Sequence, residues 1–211
     1  MKGQHGKPLR GLMSTKSSRL YQGFFGRMFP HLKAAKFGHN PTETNANLAL
    51  LADKMSAGSD PLTDHPDPEE SGIPALYTYL GQFIDHDITF DPSGMLQKDA
   101  DPDALVDFRT PAFDLDNVYG RGPDDQPYLY DDDKSFLLGD PLTGGGDANA
   151  RDLPRNGAPK GRRRALIGDP RNDENTIISQ LQGLFLRFHN RTVAEHPRAE
   201  FSELQRIVRD H

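Results

Sequence analysis

Gln82, Asp85 and His86 stand at offsets 0, 3 and 4 in the run Gly81-Gln82-Phe83-Ile84-Asp85-His86-Asp87. On a helix that spacing puts all three side chains on one face. Such a trio on an apolar element is costly unless it addresses a ligand. A solvated helix end with an ordinary charge pair has the same spacing. Asp87 is rotated away by one residue step and faces a different partner, and the Asp85-His86-Asp87 run also has the makings of a divalent-metal site. The second group is Thr110, Asp114 and Asp116 within Phe108-Arg109-Thr110-Pro111-Ala112-Phe113-Asp114-Leu115-Asp116-Asn117-Val118-Tyr119-Gly120. Alternating oxygen side chains with carbonyls between them suit calcium, which takes about six to eight oxygens. The spacing is not that of an EF-hand, and acids in such a loop are often simply solvated. The third group is Gly168-Asp169-Pro170-Arg171-Asn172-Asp173-Glu174, where Arg171 and Glu174 lie three apart on one side of a helix. An exposed Arg–Glu pair there contributes little by itself.

Two amphipathic segments must carry the first and third groups. Leu76, Leu80, Phe83 and Ile84 fall at offsets 0, 4, 7 and 8, which predicts a helix over Pro74 to Asp87 with one buried stripe. Ile177, Ile178, Leu181, Leu184, Phe185 and Phe188 likewise share one face of a helix predicted from Glu174 to Glu195, with Asn172 or Asp173 as its cap. A shorter helix is expected over Pro41 to Met55, with Asn40 as N-cap and Pro41 at the first position. Residues 1–40 are basic and Gly-rich, with an aromatic cluster at Phe24, Phe25, Phe29 and Phe37, and read as an irregular arm. Residues 57–72 form an acidic, Pro-containing connector. Between the two main helices runs a long stretch rich in Asp, Gly and Pro, including Gly144-Gly145-Gly146 and Arg162-Arg163-Arg164. Loops of that length are uncommon unless a ligand or ion holds them. Ser202 to His211 is helix-like, and its apolar stripe of Leu204, Ile207 and Val208 has no visible end, so the chain is expected to be part of something longer. The organisation expected is an arm with one short helix over 1–69 and a main domain over 70–211.

The whole chain has 211 residues, with 25 Lys+Arg against 31 Asp+Glu and a formal net charge of −6. That balance argues against a generic nucleic-acid surface. Hydrophobic residues make up 35% and the mean hydropathy is −0.72, so the apolar core is expected to be thin. With no cysteine, neither disulfides nor thiolate metal sites exist. No apolar run follows the charged N-terminus, so a Sec-type signal peptide is not expected. No window is long and apolar enough for a membrane span. The compartment stays open between the cytoplasm and export by a non-Sec route.

In their order along the chain, Gly81-Gln82-Phe83-Ile84-Asp85-His86-Asp87, the Thr110 to Gly120 loop, Gly168-Asp169-Pro170-Arg171-Asn172-Asp173-Glu174 and Leu186-Arg187-Phe188-His189-Asn190-Arg191 resemble the animal-type haem peroxidases. This is the superfamily of myeloperoxidase, peroxidasin and the cyclooxygenases. The resemblance covers about residues 70–211, and Arg27 to Leu32 looks like the lead-in of bacterial members. It implies a mainly α, haem peroxidase-type fold with long calcium-held loops and little sheet. His86 resembles the distal histidine, a general base toward hydrogen peroxide. Arg171 resembles the distal arginine that stabilises charge during O–O cleavage, and Gln82 the distal glutamine that orders water and small anions. Asp85 and Glu174 match the carboxylates that ester-link haem b in mammalian members. Asp87, Thr110, Asp114 and Asp116, with the carbonyl of Ala112, match the calcium ligands. His189-Asn190 is a family feature that reads as structural.

Two departures qualify the implied function. Asn175 stands where myeloperoxidase has the methionine that forms a sulfonium link to haem, so that third bond is not available. The family's proximal histidine lies downstream of anything in these residues, so this sequence carries the distal half of the pocket, with weak haem binding and little activity expected of it alone. The implied reaction is peroxide-driven oxidation of halide, thiocyanate or a small aromatic donor, the partners being hydrogen peroxide and a small reductant. A fatty-acid dioxygenase of the same superfamily is a close alternative. A metal-dependent phosphohydrolase using His86 and Asp87 is a third, and a non-enzymatic, calcium-stabilised binding module derived from a peroxidase is a fourth from a different class. Oligomeric state is not legible.

Overall fold

A computed structural model describes residues 23–24, 29, 31–33, 35–56, 72–91, 106–144, 146–157 and 161–211. Phe25, Arg27, Met28, Pro30, Gly145, His5, His65 and the connector over 57–71 lie outside the described residues. The described chain is mainly helical. Its helices are α1 (Pro41–Met55), α2 (Leu76–Ile88), the single turn α3 (Asp116–Tyr119), α4 (Thr176–Glu195) and α5 (Phe201–Asp210). Short 3₁₀ turns occupy Pro127–Leu129 and Pro170–Asp173. Among the described residues, strand structure is confined to the antiparallel pair β1 (Gly23–Phe24) and β2 (Val106–Asp107) and a few isolated bridges. No helix among the described residues is long and apolar enough to cross a membrane.

The chain divides into two compact units, one of Gly26–Ala75 and the other of Met1–Phe25 with Leu76–His211. The first holds α1, which starts where the sequence places it. Asn40 Oδ1 accepts from the Glu43 N–H at 2.9 Å, and the Glu43 carboxylate accepts from the His39 N–H at 3.0 Å. One otherwise orphaned donor of the first turn, and one just ahead of the cap, are thereby satisfied. α1 buries none of its side chains.

In the second unit α2 and α4 pack through a stacked pair, Phe83 and Phe185, with ring centroids 4.9 Å apart. Neither helix buries the stripe that its sequence draws. On α2 only Phe83 is buried among the four expected residues, and Leu76 is 61% exposed. On α4 the buried face carries Ile178, Ser179, Gln182, Gly183, Leu186 and His189, while Ile177, Leu184 and Phe188 are exposed. The packed face is therefore partly polar, because it closes over buried side-chain hydrogen bonds instead of a purely apolar seam. The start of α4 differs too: Asn175 caps it, accepting from the N–H groups of Ile177 and Ile178. Asn172 and Asp173 are engaged elsewhere, Asn172 with Gln182 and Asp173 with Arg155. α4 ends at Glu195, as expected, with His196 as its C-cap.

Much of the core comes from the stretch that reads as loop. Leu115, Val118, Tyr119, Leu129, Tyr130, Phe136 and Leu153 are all buried. Tyr130 stacks on Phe136 at 4.6 Å between centroids, Tyr119 lies tilted against Phe136 at 5.6 Å, and Phe201 and His189 close the box edge-on. Asn190 holds the Phe136 backbone from both sides, accepting from its N–H at 2.8 Å and donating to its carbonyl at 2.9 Å. Arg155 bridges Asp152 and Asp173. Packing and side-chain clamps thus hold this part of the loop.

His189 has no exposed surface. One ring nitrogen bonds the Tyr119 hydroxyl at 3.0 Å and the other the Lys134 carbonyl at 2.9 Å. The second contact requires an N–H on Nε2, and burial, which holds the pKa below the ordinary 6.5, keeps the ring neutral with its proton there. The unfolded chain binds the proton more readily, so this contribution is fully present above pH 6.5 and is lost as pH falls from there toward the folded value. Thermal midpoints of His189→Phe are expected to be lower than wild type at pH 8 and to fall less steeply between pH 7 and 5. A slope as steep as wild type would rule His189 out as the titrating group.

Candidate functional site

His86 lies in the last turn of α2 and is 5% exposed. Its Nδ1 is 2.7 Å from Asn172 Oδ1. Asn172, in the 3₁₀ turn ahead of α4, donates through Nδ2 to Gln182 Oε1 at 2.7 Å. Asn172 and Gln182 are completely buried. Among the described residues no protein group bonds His86 Nε2.

Arg171 approaches from the same 3₁₀ turn. Its Nη2 donates to the carbonyl of His86 at 3.0 Å and to the carbonyl of Thr89. Nε and Nη2 also bond Asp169, at 3.1 and 2.8 Å. Nη1 is the guanidinium nitrogen without a hydrogen bond among the described residues. The side chain is directed to Asp169 and the end of α2, so the Arg171–Glu174 pair considered from spacing is not made. Glu174 instead accepts from Gln82 Nε2 at 3.2 Å. Asp85 is exposed on α2, so of the trio Gln82, Asp85 and His86 one member is buried, one half-buried and one in solvent.

Asp169 is the residue on which this arrangement turns. It is fully buried and accepts from Arg109 Nη2 at 2.7 Å as well as from Arg171. Both guanidiniums also lie over the Phe90 ring, 5.0 and 5.3 Å from its centroid. Burial alone would push the Asp169 carboxyl up, but the hydrogen bonds from Arg171 and Arg109 outweigh it and hold the pKa below the ordinary 3.8. Gly168 permits the approach of this segment to α3. A Cβ at that position would meet the Asn117 carbonyl at 2.6 Å and the Val118 carbonyl at 2.8 Å.

Asp87 points to the other side of α2. Its carboxylate is fully buried and accepts from the N–H groups of Leu115 and Asn117 at 2.8 and 2.9 Å. Leu115 sits at φ 61°, a left-handed conformation rare for a branched side chain. Thr110 donates to Asp114 at 2.9 Å, and the Ala112 carbonyl accepts from the Asp114 N–H at 2.9 Å. Burial pushes the Asp87 carboxyl up, and the charge of Asp114 adds to the shift, against the backbone bonds and Arg109. Asp87, Thr110, Ala112 and Asp114 are thus brought to one junction, with Asp116 buried on the adjoining turn. Among the described residues no cluster of three or more His, Asp or Glu has the geometry of a metal site. A surface recess of about 400 Å³ between α4 and α5, lined by Glu195 to Ala199 and Glu203, shares no residue with either group.

Sequence reasoning missed Asp169, Arg109, Asn172 and Gln182. Asp169 had a local signal: it precedes Pro170, and its side chain accepts from the Arg171 N–H as an N-cap. Gln182 had none, being one polar residue on an apolar helix. No family model matches this chain, and no curated protein matches it.

Asp169→Asn removes the counter-charge from two guanidiniums. Breaking a buried pair of this kind costs about 3–5 kcal/mol, to be read from denaturant unfolding at pH 7. The gap to wild type should narrow as pH falls below 3.8, where the wild-type carboxylate loses its advantage. Gly168→Ala forces a Cβ into two backbone carbonyls and is expected to cost about 1–3 kcal/mol. A neutral result in the same assay would mean that the contact relaxes freely.

Proposed function

We propose that this chain carries the distal side of a haem- and calcium-dependent peroxidase. The carrying observation is the convergence of His86, Arg171, Gln82 and Glu174, which come from segments 85 or more positions apart and meet through direct hydrogen bonds. The donor set fits haem on this side. Asp85 and Glu174 are exposed carboxylates suited to hold the ring edge through ester bonds, and His86 keeps Nε2 open while Nδ1 is engaged. Haem, when bound, supplies the iron at which the peroxide O–O bond is cleaved. His86 Nε2 takes a proton from hydrogen peroxide and returns it to the leaving oxygen. Arg171, oriented by Asp169, offers Nη1 to the charge that develops. Gln82, anchored by Glu174, orders water or a small anion beside them. Halide, thiocyanate or a small aromatic donor is then the reductant.

Calcium fits the junction of α2 with the loop at 110–116. Two carboxylates, Asp87 and Asp114, lie close enough to repel, and a hard cation ligated by them with Thr110, Asp116 and the Ala112 carbonyl would remove that cost. His86 and Asp87 address different partners, which disfavours a phosphohydrolase that needs both on one ion. The neutralisation of Arg171 by Asp169 favours one competitor, a calcium-stabilised binding module without catalysis.

Titration of the chain with haem, imidazole and calcium, read against the same mixture without protein, separates these readings. A Soret band with peroxide consumption is expected, and His86→Ala should slow consumption by about 10²–10⁴-fold while leaving the band in place. A band without any His86-dependent reaction would leave the binding module. Calcium should raise the thermal midpoint of the haem-free chain, and Asp114→Asn should abolish that rise. Equal melting of wild type in calcium and in chelator would reject the ion site.

A further inference from the structure

We propose that Asn172 and Gln182 are positioning residues that fix the His86 imidazole as the Nδ1–H tautomer, leaving Nε2 as its only proton-accepting atom. The three side chains form one buried line, His86 Nδ1 to Asn172 Oδ1 at 2.7 Å and Asn172 Nδ2 to Gln182 Oε1 at 2.7 Å. His86 is 5% exposed and the two amides are fully buried. An amide cannot present its oxygen to both neighbours. Because Asn172 gives its Nδ2 hydrogen to Gln182, its oxygen faces the ring, and a carbonyl oxygen there requires a proton on Nδ1. Turning Asn172 over would set its NH₂ against Nδ1 and its oxygen against Gln182 Oε1, so the second amide would have to turn as well. Two buried amides thus act together on a ring that has no other hydrogen bond among the described residues.

The far end of the line is incomplete. Gln182 Nε2 is buried and has no hydrogen-bond partner, a costly state for a donor. A Gln at this place is therefore not explained by the stability of α4, where an apolar residue would pack without that cost. It is explained if its oxygen is needed to hold Asn172. A base role for Nε2 rests on the peroxidase reading; the tautomer does not.

The test uses the full chain labelled with ¹⁵N-histidine, without haem or peroxide. Two-bond ¹H–¹⁵N correlation at pH 8 reads which ring nitrogen carries the proton, and the His86 signals are those missing in His86→Gln. Wild type is expected to give the Nδ1–H pattern. Asn172→Leu should lose it, Asn172→Asp, which can only accept, should keep the proton on Nδ1, and Gln182→Leu should give a mixture of the two patterns. An Nε2–H pattern in wild type, or an unchanged Nδ1–H pattern in Asn172→Leu, overturns the proposal. An unchanged pattern in Gln182→Leu overturns the part assigned to Gln182. If the leucine variants fail to fold, wild type and Asn172→Asp still decide it. A chain with the Nδ1–H pattern that never reacts with peroxide rejects the function and leaves this inference standing.

Discussion

A carboxylate with no exposed surface, Asp169, draws Arg109 from a distant part of the chain onto the same point as its near neighbour Arg171. A buried charge of that kind is tolerable only while its partners stay in place, so the bridge dictates where the end of α2, the loop after β2 and the turn before α4 must meet. Everything proposed for the site inherits its geometry from that condition. Arg171 reaches the carbonyls of His86 and Thr89 because Asp169 orients it, and Arg109 brings Thr110 and Asp114 toward Asp87 by the same attachment. Gly168 belongs to the same constraint, since only a residue without a side chain lets this turn lie against the carbonyls of α3. The two candidate ligand sites are therefore joined through one anion.

That arrangement also assigns a division of labour within the 3₁₀ turn at Pro170–Asp173. Four consecutive side chains face four different tasks: Arg171 the end of α2, Asn172 the imidazole, Asp173 the guanidinium of Arg155, and Glu174 the amide of Gln82. Consecutive side chains of a 3₁₀ turn lie about a third of a turn apart, and Asn175 then restarts the chain as α4 with a new cap. So short a segment thereby holds the buried imidazole of His86 and presents the exposed Glu174 carboxylate to Gln82.

How far the sequence reveals this depends on the kind of force involved. The start of α1 was legible to the residue, because Asn40, Pro41 and Glu43 are a local signal with a local readout. The existence of α2, α4 and α5 followed from period, with their ends within two residues of the expected positions, and the start of α4 moved because Asn172 and Asp173 are held by tertiary bonds and Asn175 caps instead. The buried faces were not legible. Period-3.6 patterning finds an apolar stripe but not which stripe is covered, and α4 packs its Ser179, Gln182, Gly183 and His189 inward while leaving Ile177 and Leu184 in solvent. The loop core was hidden for a different reason: Tyr119, Tyr130, Phe136 and Leu153 have no common period, so only their mutual packing reveals them. Of the candidate site, the residue types that face one another were visible as separate clusters. Asp169 showed only its cap position before Pro170 and not its pairing with Arg109, and the line from Asn172 to Gln182 was not visible at all, since a buried polar link between elements leaves no pattern in either one.

The aromatic box has an optical consequence. The chain has no tryptophan and six tyrosines, so near-ultraviolet absorbance comes chiefly from phenol rings. Two of these, Tyr119 and Tyr130, are sealed in the box, and burial drives their ionisation far above the ordinary value of 10. In strong alkali these two rings stay uncharged until the box comes apart. The late phenolate absorbance therefore records the opening of the core and not a local acid dissociation, which gives the molecule a built-in spectrophotometric gauge of its own integrity.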